Sequence, residues 1–179
     1  MRMHSVSGSV CVRAARESDA GMIASIYSDG IAGREATFET EPRDAADFHE
    51  RIVAGRYPLL VAELDGRLVG WAGLAPCSER AAYAGIAECS IYVASDARGR
   101  GVGTELCQRL AREAAGRGLW KLIGKVFPEN LACVRMVGRC GFREVGVHRR
   151  HGRLDGVWRD VLLVERLLGD AGTAAAGGR

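Results

Sequence analysis

Residues 91–103 read Ile-Tyr-Val-Ala-Ser-Asp-Ala-Arg-Gly-Arg-Gly-Val-Gly, an apolar run followed by three glycines in five positions. Gly99, Gly101 and Gly103 carry no Cβ, so successive backbone N–H groups can turn toward one point. An amphipathic pattern opens at Gly101, with Val102, Leu106 and Leu110 four residues apart and Ala114 completing the stripe. A helix starting there adds unpaired N–H donors and the positive end of its dipole, an arrangement that suits phosphate. The loop is not a Walker loop, because no G-K-[ST] closes it, and it does not match G-x-G-x-x-G. A turn with a purely structural role accounts for the same glycines.

The elements that would position this loop alternate along the chain. Val10–Ala14 is a short apolar run, and Asp19 can cap a helix carrying Met22, Ile23, Ile26 and Tyr27 on one face. A second helix is predicted over 43–54, with Phe48, Ile52 and Val53 as its apolar side. Residues 58–64 and 68–74, joined by Asp65-Gly66, read as a hairpin with a two-residue turn. Residues 87–94 form a strand before the glycine loop, 120–126 a strand after its helix, and 129–139 a short helix ending before Gly141. Strands at 143–148 and 157–163 close the pattern. The order β-α-α-β-β-β-α-β-α-β-β describes an α/β (α+β) chain built on one mixed central sheet flanked by helices. Residues 10–168 make one domain, and the small or glycine-rich ends, 1–9 and 169–179, read as flexible tails.

Composition narrows the function classes. The 179 residues hold 24 glycines without a G-x-y period, which excludes collagen, and 47% apolar with 26% charged residues is wrong for disorder. No run approaches the roughly 18 apolar residues of a membrane span. The net charge of +3 does not argue for nucleic acid. Of the 25 basic residues only Lys121 and Lys125 are lysine; base composition explains this, or some arginines grip phosphates or carboxylates through their planar fork. Cys11, Cys77, Cys89, Cys107, Cys133 and Cys140 show no C-x-x-C pair, and His4, His49, His148 and His151 no metal spacing. With no apolar signal core at the N-terminus, the expectation is a cytoplasmic protein with buried free thiols and no metal.

Arg98-x-x-Gly101-x-Gly103 resembles the R/Q-x-x-G-x-G/A pyrophosphate loop of the GCN5-related N-acetyltransferases, and the element order is similar to that fold over residues 10–168. Within the superfamily the chain resembles the phosphinothricin, methionine sulfoximine and arsinothricin N-acetyltransferases. The stretches that carry this are Ala36-Thr37-Phe38-Glu39-Thr40-Glu41-Pro42, Glu88-Cys89-Ser90-Ile91-Tyr92-Val93, Phe127-Pro128-Glu129-Asn130 and Gly152-Arg153-Leu154-Asp155-Gly156-Val157-Trp158-Arg159-Asp160.

The resemblance implies acetyl transfer from acetyl-CoA, as co-substrate, to a primary amine, with no metal. An α-amino group, with a pKa of about 8, is mostly protonated at pH 7, so a base must take its proton. Glu88 is the candidate: it shares a strand face with Tyr92, four residues on, and its sequence neighbours Ala84-Gly85-Ile86-Ala87 and Cys89 suggest an apolar setting that raises a carboxylate's pKa. An exposed strand glutamate is the alternative. Tyr92 and Val93 are expected to supply a backbone N–H to the oxyanion and to hold the pantetheine arm. Arg98, Gly99, Arg100, Gly101, Val102 and Gly103 would bind the pyrophosphate. Asn130 either contacts the cofactor or caps a helix.

Arg80 and Tyr83, eight and five residues before Glu88, match the spacing of substrate-binding Arg and Tyr in the subgroup. An arginine there suits a carboxylate or phosphinate-like oxyanion. Phe38 walls the pocket or belongs to the core. Eight arginines against four acidic residues between 134 and 166 suit anionic ligands, or form a solvated basic face. One position departs from the family: the Tyr or His expected one helical turn before Gly141-Phe142 is Val137, which handles no proton. Cys133, one turn earlier, is a second candidate or a packed thiol. The expected acceptor is thus a small glutamate-like amino acid, with detoxification as the implied role and a homodimer as the implied assembly. A protein or polyamine N-acetyltransferase and a catalytically silent acyl-CoA-binding module are the alternatives.

Overall fold

A computed structural model of the chain describes residues 9–174. Seven strands form one sheet: β1 (Val10–Ala14), β2 (Leu59–Leu64), β3 (Arg67–Pro76), β4 (Ile86–Val93), β5 (Lys121–Val126), β6 (Arg143–Leu154) and β7 (Val157–Leu167), in the order β1-β2-β3-β4-β5-β7-β6. Every neighbouring pair is antiparallel except β4–β5. The helices are α1 (Ala20–Ala32), α2 (Ala45–Ala54), α3 (Val102–Gly116), α4 (Leu131–Arg139) and α5 (Gly169–Ala174). The expected element order and mixed sheet are both present.

The Asp65-Gly66 turn forms as its residues require, both at positive φ (53° and 77°), the geometry of a two-residue hairpin loop. Two expectations at the C-terminal end change. β6 and β7 run far beyond 148 and 163 because they pair with each other out to the Leu154–Val157 turn and β7 pairs with β5 up to Leu167. Residues 169–174, expected as tail, form α5; residues 1–8 and 175–179 lie outside the described residues.

Two apolar layers sandwich the sheet. On one face the buried stripe of α3 (Val102, Leu106, Leu110, Ala114) packs with Val137 of α4 and with Leu74, Ala87, Leu122 and Val164. On the other, α1 and α2 bring Ile23, Ile26 and Phe48 against Val61 and Trp71. α2 ends at Gly55, whose φ of 58° closes the helix.

Asp19 precedes α1 as expected but does not cap it. Its carboxylate turns back to accept from the Arg13 guanidinium (2.7 and 3.1 Å) and from the Arg16 N–H (2.7 Å), while Arg13 also holds Glu63. The Arg13 hydrogen bond holds the Asp19 carboxyl below the usual carboxylate range, with the Arg16 N–H adding to it. The cluster therefore ties β1, β2 and the start of α1 together. Asp19→Asn is expected to cost about 1–3 kcal/mol at neutral pH. Because folding lowers this pKa, the stabilisation is full above about pH 5 and is lost as pH falls through the folded value. The difference in Tm between wild type and variant should narrow in acid. A difference that stays constant from pH 7 to pH 2 would show that the charge is not what stabilises.

Candidate active site

β4 begins as a partner of β5 and then leaves it. The parallel ladder joins Ile86, Ala87 and Glu88 to Lys121, Leu122 and Ile123, and among the described residues it stops there. From Cys89 onward the edge of β4 that faced β5 is free of strand pairing, while its other edge stays paired with β3 up to Val93. Backbone N–H and C=O groups along such an edge need partners, so the wedge is a natural seat for an amide-bearing ligand.

Strand alternation sorts the side chains. Cys89, Ile91 and Val93 pack into the α3 layer, while Tyr92 packs into the α1/α2 layer. Glu88 therefore shares the Tyr92 face, as its spacing predicted. Tyr92 is fixed by stacking on Trp71 (5.1 Å between centroids) and by edge contact with Tyr27 (4.7 Å). Gly30 on α1 makes this possible, since a Cβ there would lie 2.7 Å from the Tyr92 ring. Burial pushes the Tyr92 phenol up, so it stays neutral.

The setting of Glu88 differs from the apolar one expected. Its Oε2 accepts from Lys125 Nζ at 2.8 Å, and both side chains are partly exposed. Lys125 lies on β5 two residues past the end of the ladder. It points to the Glu88 face because Leu122 and Val126, of opposite parity, enter the α3 layer. The sequence reasoning missed this residue. Its signal was available as strand parity, but only once β5 was known to lie beside β4.

The glycine loop follows β4 through a 3-10 turn at Ser95–Ala97. Gly99 and Gly101 take φ of 75° and 84°, and a Cβ at either would meet nothing within 4 Å, so the space above the loop is open. The first bond of α3 runs from the Glu105 N–H to the Gly101 carbonyl, which leaves the N–H groups of Val102, Gly103 and Thr104 ahead of the helix ladder. These donors, together with exposed Arg98 and Arg100, fit a pyrophosphate. Arg98 Nε donates to the Val93 carbonyl (3.3 Å), bracing the loop against the strand, and Arg100 lies 3.9 Å from Asp65 at the hairpin turn.

Asn130 caps α4: its Oδ1 accepts from the Cys133 N–H (3.0 Å). Its Nδ2 also donates to the Glu35 carbonyl (3.2 Å), which fastens the loop between α1 and α2 to the start of α4. The same loop is held by Arg34–Asp155 (2.9 Å) and by Phe38, whose ring packs edge-on against Phe127 (4.9 Å). Phe38 is half-buried and joins Phe127, Leu154 and Val161 in a small apolar cluster, over a Gly152 that has no Cβ to collide with it.

Val137 is buried among apolar neighbours, so nothing at that position donates a proton. Cys133 is a packed thiol, which burial pushes up to about 11. All six cysteines are free, but Cys11 and Cys77 are exposed, which corrects the expectation of buried thiols throughout. Arg80 and Tyr83 sit on an exposed turn just ahead of β4. The Arg80 guanidinium makes no ion pair among the described residues; its backbone N–H donates to Ser78 Oγ and its carbonyl accepts from the Tyr83 N–H. The described residues contain no group of three or more His, Cys, Asp or Glu placed to hold a metal ion.

Comparison with known proteins places this geometry. The acetyltransferase (GNAT) family model matches residues 23–142. The chain is 36% identical to a phosphinothricin N-acetyltransferase of Alcaligenes faecalis over 88% of its own length and 82% of the relative's. It is 30% identical to an L-methionine sulfoximine/L-methionine sulfone acetyltransferase of Pseudomonas aeruginosa, over 88% of this chain and 94% of that one. Among solved structures it resembles a GNAT superfamily phosphinothricin acetyltransferase from Sinorhizobium meliloti in complex with acetyl-CoA. That likeness has a TM-score of 0.85 and 28% identity, and covers 92% of this chain and 91% of the other. With the splayed strands and the glycine cradle in their places, the chain belongs to the GNAT acetyltransferase family.

Proposed function

We propose that this acetyl-CoA-dependent N-acetyltransferase acetylates the α-amine of a small glutamate-like amino acid. Phosphinothricin, methionine sulfoximine and arsinothricin are the candidate acceptors, and detoxification is the role. The observation that carries the reading is the position of Glu88: a carboxylate at the point where β4 leaves β5, on the face of Tyr92. The names of the relatives support the acceptor class.

Acetyl-CoA supplies the activated acetyl thioester. Gly99, Arg100, Gly101, Val102 and Gly103 hold its pyrophosphate with Arg98, and the remaining amide N–H of Asn130 adds a donor. Of the Tyr92 and Val93 backbone N–H groups, that of Val93 faces the unpaired edge, since the Ala94 N–H is bonded to the Val69 carbonyl and strand alternation turns the Tyr92 N–H the same way, toward β3. The Val93 N–H donates to the acyl oxygen, where charge builds up during transfer. Glu88 accepts a proton from the acceptor's ammonium, directly or through one water, and frees the lone pair that attacks. Arg80, which has no carboxylate partner among the described residues, and Tyr83 bind the anionic end of the acceptor, and Phe38 walls the site. β6 is the outer strand of the sheet and exposes Val145 and Val147, and its unpaired edge supports a homodimer. Six free cysteines support a reducing, cytoplasmic setting. No helix among the described residues is long and apolar enough to cross a membrane.

A thiol-release assay with the three amino acids is expected to show turnover on at least one. Glu88→Gln should lower kcat by about 100-fold or more while acetyl-CoA affinity is retained. Full activity of that variant at pH 7 would remove Glu88 from the role of base. Arg80→Ala should raise the acceptor's KM by about 10-fold or more and leave the KM for acetyl-CoA unchanged. An equal rise in both would place Arg80 outside the acceptor site.

A further inference from the structure

We propose that Lys125 determines acceptor specificity by exchanging its ion pair with Glu88 for the acceptor's α-carboxylate, so that the site selects zwitterionic amines. The inference rests on the reading of Glu88 as the acceptor-side base.

The cations on this face are partnered unequally. Lys121 and Arg143 are both held by Glu165, and Arg159 is held by Glu129. Lys125 has Glu88 alone among the described residues. The 2.8 Å pair stands at the mouth of the wedge, with about half of the Lys125 side chain and a third of the Glu88 side chain open to solvent. It is therefore reachable, and it occupies the place an acceptor ammonium has to take.

An ammonium that engages Glu88 leaves two cations competing for one carboxylate. A simple amine brings nothing for Lys125, and a polyamine brings further positive charge. An α-amino acid brings its own carboxylate on the same carbon as the nitrogen. Its two charged groups lie about 3 Å apart, the spacing of one charge-assisted hydrogen bond. The acceptor can thus insert its ammonium toward Glu88 and its carboxylate toward Lys125, replacing one ion pair by two. Where the acceptor carries a second anion, as the phosphinate of phosphinothricin, that group falls to Arg80, whose guanidinium makes no ion pair among the described residues. Like-charge exclusion of non-zwitterions follows from the same arrangement.

Lys125 also spans the splayed strands, so a purely structural tether has to be told apart from a specificity residue. The test compares phosphinothricin and methionine sulfoximine with their α-carboxamides, which keep the amine and lose the carboxylate charge. In wild type the free acids should be preferred. In Lys125→Met, kcat/KM for the acids should fall by about 10- to 100-fold, mostly through KM. The carboxamides should gain rather than lose, since Lys125 no longer competes with their ammonium for Glu88, so the acid/amide ratio collapses. Lys125→Arg should restore most of that ratio. An equal loss on acids and amides, with a lowered Tm, would overturn the proposal in favour of a tether. If Lys125→Met does not fold, a wild-type acid/amide ratio near one overturns it as well. Turnover of none of the four amines by wild type would instead strike the acceptor reading itself, and this inference with it.

Discussion

The separation of β4 from β5 after three residue pairs is the constraint on which the rest of the molecule depends. Parallel strands that stay paired offer no edge; these two stop at Glu88 and Ile123 and leave the remainder of β4 open on one side. β4 continues for five more residues to Val93, about 17 Å of extended backbone. At one end of that span stands the carboxylate of Glu88, and at the other the loop that opens into α3. In the proposed reading, the loop end of this strand takes the phosphate end of an extended donor, and the unpaired backbone of β4 supplies hydrogen bonds to the rest of it.

Holding such a wedge open requires rigidity on both flanks. On the β4 side this comes from the aromatic cluster of Tyr27, Phe48, Trp71 and Tyr92, in which four rings meet within 6.0 Å. On the β5 side it comes from β7, which pairs with β5 along its full length. Asn130 links the two halves by capping α4 and holding the Glu35 carbonyl at once. One side chain therefore serves the helix and the loop that carries Phe38. Of the two roles open to it from sequence, the cap is present, and its second donor is spent partly on tertiary structure.

What could be read from sequence was local. Period-two runs, the Asp65-Gly66 turn, the stripe of α3 and the alternating glycines each depend on neighbours within a few residues, and each took the form expected. Glu88 and Tyr92 fell on one face because both lie on the same strand. The Lys125–Glu88 pair joins positions 37 apart in sequence and exists only because β4 and β5 are adjacent. Asp19 looked like a helix cap because local chemistry favours it there; Arg13, brought close by the fold, outbid the helix for its carboxylate. The thiols were misjudged for a different reason: cysteine's usual burial says nothing about which of six positions face solvent.

Val137 raises the question of what protonates the departing thiolate, and the thiols of the site answer part of it. Cys133 is near enough in sequence to be considered, but burial pushes its thiol up to about 11. A free thiol has a pKa of about 8.5, so transfer from Cys133 to a departing thiolate runs uphill by about 3 kcal/mol. Cys89, held up at about 12 by the same burial, is a weaker acid still. Tyr92 is excluded on the same ground, its phenol being raised by the aromatic cluster that fixes it. Burial on this scale keeps these groups neutral. A thiolate with a pKa near 8.5 leaves without an acid and takes its proton from water. With these groups held neutral, the base proposed for the reaction is the partly exposed carboxylate of Glu88 at the open end of the wedge.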